Sequence, residues 1–382
     1  MVSVIGHGKV YKKDIVITDE VMGYVVTGIS SGAFADVDDI TSVTMLLERP
    51  YAIPEDAFSE SVYQNAALIV PYGYEDVYKT TAGWGKFANI TYFAPDEYTD
   101  EQGVVYALNE DGETYMVKGY TENLKSKIVL PETLHGKDVT VIGDYAFIDA
   151  HQLKEISLFE GILHIGDFSF VRTSLSEIIV PNSVTAIENS AFADNQKLEK
   201  AHLGSGVEFI TSNASFYHGH NSFQNCPQLR EITVDENNKY FSSYNGMLYD
   251  KAQMILCAVP GGKTSLQESD FSKNVSMIAS YAAVGARLTE VVLPSTVSIA
   301  EEGCFQGCDK LISFTVKSHA IDFRPNTFDD CMLLEHLFLY QYYPDKNLGD
   351  SYFFENVNSG VIVHVPKGLE EVYKSKISEG GH

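Results

Sequence analysis

An aromatic beat organises most of this chain. Residues 141–147 read Val-Ile-Gly-Asp-Tyr-Ala-Phe, residues 164–170 read His-Ile-Gly-Asp-Phe-Ser-Phe, and residues 186–192 read Ala-Ile-Glu-Asn-Ser-Ala-Phe. The closing rings, Phe147, Phe170 and Phe192, are 23 and 22 residues apart, and the beat resumes at Phe305 and Phe328. A second phrase, Leu-x-x-apolar-x-apolar, sits between these anchors at Leu153, Leu175, Leu198, Leu229, Leu288, Leu311 and Leu334. Apolar residues two apart are strand periodicity, so each phrase marks a short strand with one buried face. One such unit cannot cover its own apolar face. Neighbouring units must stack and seal one another, which makes the array a solenoid.

The phrase also carries a resemblance. Leu175 to Pro181, Val184 to Phe192, and Phe305–Gln306–Gly307–Cys308 resemble the BspA-like, treponemal-type bacterial leucine-rich repeats. The resemblance implies a right-handed leucine-rich-repeat array with short parallel strands and irregular or short helical returns. It also implies a bacterial surface or secreted protein, some members being implicated in adhesion to host matrix proteins.

Two places break the beat. The step from Leu198 to Leu229 is 31 residues, which places an eight-residue insertion near 212–221. The step from Leu229 to Leu288 is 59, and within the insertion at 235–275 the span Tyr240 to Val259 reads as a β-hairpin turning at Asn245–Gly246. A strand, a Pro stop and a short helix occur twice, at Ala67–Lys79 and at Val361–Lys374. Solenoids end in atypical units that hide the last apolar face. Two terminators therefore divide the chain into a short N-terminal array, residues 1–97, and a main array, residues 98–382, that opens with a hairpin turning at Glu110–Asp111–Gly112.

Composition narrows the function. The net charge is −25 and no clusters of Lys and Arg occur, which argues against a nucleic-acid partner. No run approaches the ~20 apolar residues of a membrane span. Neither Val2–Ile5 nor the last five residues reads as a leader or a cell-wall anchor. A piece of a longer surface protein and a cytoplasmic protein both accommodate that.

Chemistry-bearing residues fit structural roles better. Cys226, Cys308 and Cys331 each follow a repeat Phe by three residues, as a small buried filler would. A bond between Cys308 and Cys331 is the minority reading. Cys304 takes the Ala slot beside Phe305, and Cys257 lies in the hairpin. His218–Gly219–His220 reads as a polar loop rather than a metal site. Val259–Thr264 lacks the first glycine of a phosphate loop and reads as a turn. Asp36–Asp39 reads as a solvated corner. No cofactor is expected.

The strand face is more informative. Its outward column reads Ser157, Ile179, His202, Thr233, Val292, Thr315 and Phe338, uncharged and partly apolar. The column two residues earlier reads Glu155, Glu177, Lys200, Glu231, Glu290, Ser313 and His336, and its carboxylates suit a basic partner. Tyr340, Tyr342, Tyr343, Tyr352, Phe353 and Phe354 crowd the final repeat, and Tyr240, Phe241, Tyr244 and Tyr249 crowd the hairpin. Tyrosine is favoured at protein interfaces. The reading is a non-catalytic protein-binding module, extracellular or at the cell surface, whose partner is a host matrix protein or another surface protein. Its candidate contacts are His202, Thr233, Val292, Phe338, Glu231, Glu290, Tyr342, Tyr343 and Tyr352. The alternatives are an enzyme with a site in the insertions 212–262 and a structural spacer.

Overall fold

The computed structural model describes residues 2–4, 13–210, 221–342, 344–345, 348 and 356–379. They form two compact units. One comprises residues 1–97 with 110–113 and 133–137; the other holds the remainder.

In the main unit the Leu-x-x phrases are parallel strands, paired without slip to their equivalents within runs of consecutive coils, with Glu155–Ser157 paired only to Lys127–Val129. Glu177–Val180, Lys200–Leu203 and Glu231–Val234 form one sheet, with Ile178, Ala201 and Ile232 in register. Ser265–Leu266, Glu290–Leu293, Ser313–Val316, His336–Leu339 and Ile362–His364 form the next. There Val291, Phe314, Leu337 and Val363 are in register. Their inward residues are fully buried or nearly so, except the half-buried Val234 and Val363. A one-residue slip would turn that row to water, so burial locks the register.

The returns hold a second parallel sheet that the sequence does not announce. It runs from Lys137–Ile142 through His164–Ile165 and Ala186–Ile187 to Phe209–Ile210. Its counterpart runs through Ile255–Ala258, Met277–Ile278, Ile299–Ala300 and Asp322–Phe323. Between the two sheets lies the phenylalanine corner. Two left-handed residues flank each ring: Tyr145 and Asp149, Phe168 and Arg172, Ser190 and Asp194, with φ between 51° and 60°. This alternation points every second N–H toward the next coil. The amides of residues 145, 147 and 149 donate to the carbonyls of 167, 169 and 171, and those of 168, 170 and 172 to the carbonyls of 189, 191 and 193.

Inside the corners the rings touch in series. Phe147, Phe170, Phe192 and Phe223 stack with centroids 5.3 Å apart at each step and planes within 17°. Ala283 holds the ring position in the next coil, its amide donating to the Cys304 carbonyl as the Phe147 amide does to Ser169. Beyond it Phe305 and Phe328 are 6.5 Å apart, and Phe314 from the strand sheet meets both edge-on at 4.9 and 4.8 Å.

The long insertion is a three-stranded antiparallel meander. Phe241–Tyr244 pairs with Met247–Asp250 across Asn245–Gly246, whose φ values of 52° and 74° suit a type I′ turn. Met247–Asp250 then pairs with Ile255–Ala258, which starts the second run of the return sheet. The Ile232 amide donates to the Gly246 carbonyl, so the hairpin tip takes a hydrogen bond from the strand sheet where that sheet is interrupted. Val259–Thr264 is a turn, as its sequence suggests: Gly262 donates to the Leu229 carbonyl, and a Cβ on Gly261 would meet the Cys226 carbonyl oxygen at 2.6 Å. The shorter insertion, with His218 and His220, lies outside the described residues except for Asn221.

In the N-terminal unit, Asp14–Ile17, Ser42–Met45, Ala67–Pro71 and Asn89–Phe93 form a parallel sheet. Phe34 and Phe58 stack at 5.0 Å and 9°, repeating the ring contact. The strand-then-helix arrangement recurs at Ala67–Pro71 with Glu75–Thr80 and, in the main unit, at Ile362–His364 with Glu370–Glu379.

Candidate partner-binding surface

Strand alternation puts residues 155 and 157, 177 and 179, and their equivalents on the outward face of the strand sheet, because side chains two apart point the same way. Ile179 is exposed; His202, Thr233, Val292, Thr315 and Phe338 are half-buried against neighbours on that face. His202 and Thr233 are directly paired across adjacent strands, with Nδ1 2.9 Å from Oγ1, and the threonine hydroxyl also reaches the Ala201 carbonyl at 3.3 Å. Glu231 takes an ion pair from Lys200 at 3.1 Å, and the Glu290 carboxylate accepts from the Gln267 amide at 2.9 Å.

The glutamate column is therefore largely self-satisfied. Lys127 pairs with Glu155 at 2.6 Å in the same manner as Lys200 with Glu231. Adjacent strands hold outward charges about 5 Å apart, where unlike signs relieve the repulsion that a pure Glu ladder would suffer. These pairs are exposed, so each contributes little to stability. Their effect is to leave the face mixed in charge.

The aromatics divide by the same alternation. In the hairpin, Phe241 and Tyr249 are core, whereas Tyr240 and Tyr244 are 41% and 37% exposed. In the last repeat, Tyr340 is exposed, and Tyr342, at 61%, stacks on His319 at 5.2 Å. Tyr343, Tyr352, Phe353 and Phe354 lie outside the described residues. The structure thus groups His202, Glu231 and Thr233 on one sheet and Glu290, Val292 and Phe338 on the next.

Sequence reasoning missed how the last strand completes this face. It read Val361–Pro366 as a terminator only, yet Ile362–His364 is in register with His336–Phe338. That register stacks Phe338 on His364 with centroids 4.1 Å apart and planes within 11°, and brings the His336 and His364 rings together. The signal was present in the sequence, because Val361, Val363 and Val365 are apolar at every second position, as the inward residues of the earlier strands are.

The cysteines are not a reactive centre. All five are free thiols, and Cys226, Cys304, Cys308 and Cys331 are fully buried. Desolvation pushes the Cys226 and Cys331 thiols up to about 12, far from a nucleophile's range. Three of them donate to the carbonyl of the ring position one coil back: Cys226 to Phe192, Cys308 to Ala283, and Cys331 to Phe305, at 3.2–3.3 Å. Asn195 holds the same slot and donates to Phe170 and Phe192, both at 2.8 Å, while Thr173 donates to Asn195 Oδ1 at 2.6 Å. Beside the hairpin, and largely outside the insertions 212–262 of the enzyme alternative, lies a cleft of about 400 Å³ lined by Tyr244, Glu268, Ser269, Lys273 and Thr296. Glu268 there is paired to Lys317. No helix of the described residues is long and apolar enough to cross a membrane.

The repeat geometry agrees with a family model described as a BspA type leucine rich repeat region, which matches residues 120–245 and 262–378 in six copies. The chain belongs to the BspA-type leucine-rich-repeat family. This repeat family is typical of bacterial surface proteins, and leucine-rich-repeat proteins commonly bind proteins. Similar solved structures of such repeats include the pneumococcal vaccine antigen PcpA, at 16% identity over 74% of this chain and 97% of that one, with a TM-score of 0.46. A leucine-rich repeat protein from Eubacterium ventriosum shares 16% identity over 71% and 84%, with a TM-score of 0.44. A leucine-rich cell surface protein from Faecalibacterium prausnitzii shares 17% over 76% and 99%, with a TM-score of 0.39. No curated protein sequence matches the chain.

Proposed function

We propose that this BspA-type chain is a non-catalytic protein-binding module of a bacterial surface or secreted protein, and that its outward strand face receives the partner. The observation that carries the reading is the registered face running from Val292 through Thr315 and Phe338 to His364. It offers half-buried apolar and aromatic side chains on a rigid sheet, with exposed tyrosines at its end. Rigid, amphipathic aromatics beside mixed charge are what protein interfaces use. Host matrix proteins and other surface proteins are the partner class, and the division into arrays 1–97 and 98–382 belongs to this proposal.

The test is binding of the intact chain to immobilised host matrix proteins, with Val292→Asp and Tyr342→Ala as face variants and Tyr240→Ala as an off-face control. Val292→Asp should weaken binding at least tenfold, equivalent to about 1.4 kcal/mol or more. Thermal stability should be unchanged in Tyr342→Ala. Equal binding by the wild type and both face variants would remove the strand face as the site.

A further inference from the structure

The registered face ends at His364 with His336 beside it, and the binding proposal gives these two imidazoles no chemistry of their own. His336 Nδ1 and His364 Nε2 are 3.1 Å apart, on neighbouring parallel strands and on the same side of the sheet. We propose that these two nitrogens form a binding site for a divalent transition metal of borderline softness, Zn²⁺ being the representative ion.

The geometry sets the argument. Imidazole nitrogens bind Zn²⁺ at 2.0–2.1 Å, so two nitrogens 3.1 Å apart reach one ion with an angle of about 100° at the metal. That angle lies between tetrahedral and octahedral values and requires no movement of either strand. Strand pairing sets the backbone: His364 is opposite Phe338 and therefore diagonal to His336. The Phe338 ring, 4.1 Å from His364 and nearly parallel to it, holds that imidazole in orientation, as outer-shell contacts do for metal ligands. Without metal, one ring donates its N–H to the other. On binding, that proton moves to the far nitrogen of the same ring, and both facing lone pairs go to the ion.

The rest of the coordination sphere is open. Among the described residues no group of three or more His, Cys, Asp or Glu is placed to hold a metal ion. Ser313 and Thr315 lie opposite His336 and Phe338 on the adjoining strand, so hydroxyl-bearing residues flank the His336 strand on the side away from His364. Imidazole suits Zn²⁺, Ni²⁺ and Cu²⁺, with Cu²⁺ the tightest, whereas hard ions such as Ca²⁺ and Mg²⁺ require oxygen. A net charge of −25 raises the local cation concentration.

The experiment is calorimetric titration of the metal-free full chain with ZnCl₂. The variants are His336→Ala, His364→Ala and the double change His218→Ala with His220→Ala. One ion per chain is expected, with affinity lowered at least tenfold by either strand variant and retained by the loop variant. A second reading needs no variant: in imidazole ¹⁵N spectra of the wild type, Nδ1 of His336 and Nε2 of His364 should shift together as Zn²⁺ is added. Absence of Zn²⁺ binding, binding abolished by the loop variant alone, or spectra in which these two nitrogens do not move would each overturn the proposal.

Discussion

Phe170 is fully buried and packs face to face between Phe147 and Phe192. Its replacement by Ala removes two stacking contacts and opens a cavity, and should lower the unfolding free energy by about 3–5 kcal/mol in urea denaturation. Asn195 is equally buried but acts through hydrogen bonds. Asn195→Ala leaves the Thr173 hydroxyl and the Phe170 carbonyl without this partner, while the Phe192 carbonyl keeps the Cys226 thiol, and should cost about 1–3 kcal/mol. The buried thiols give a third expectation. At pH 8 in native buffer Cys226, Cys304, Cys308 and Cys331 should resist alkylation, whereas all five cysteines react in denaturant. The sign follows from burial: the Cys226 and Cys331 thiols sit near 12 when folded against about 8.5 when unfolded, so folding stability falls as pH rises from about 8.5 toward 12. The ring column was readable from the sequence because Phe147, Phe170 and Phe192 recur at nearly equal spacings of 23 and 22 residues. The slot three residues later showed in the sequence only where it holds Cys226, Cys308 and Cys331, because Thr173 and Asn195 fill it with other residue types, and its hydrogen bonds across coils were not legible.

Elements show the same division. The Leu-x-x strands are four residues long in most coils and display alternation, so their positions could be read directly. The return strands, such as His164–Ile165 and Ala186–Ile187, are two residues long, too short for a period of two to show. The hairpin was legible because Asn245–Gly246 supplies the two left-handed residues that a type I′ turn requires. Gly246 carries the stricter demand, since its φ is 74° and a Cβ there would lie 3.2 Å from that of Glu231. Gly246→Ala should cost about 1–3 kcal/mol, whereas Asn245→Gly should be nearly neutral, as judged by chemical denaturation of the full chain. The candidate face was half legible. Its columns followed from the repeat, but the partners that half-bury it, Thr233 for His202 and His364 for Phe338, depend on strand registry between residues far apart in the chain.

Across the main unit, stability is a matter of neighbours. Adjacent coils are joined by strand ladders, by the corner ladder and, from Phe147 to Phe223, by a column of rings, so the array behaves as linked nearest-neighbour units. A defect in one coil should loosen the coils on either side before distant ones. Hydrogen exchange of Phe170→Ala, resolved by segment and compared with the wild type, tests this most directly. The account predicts faster exchange in residues 141–158 and 184–203 as well as in the altered coil, with residues 290–339 unchanged. Protection lost in the altered coil alone, or lost evenly along the whole chain, would contradict it.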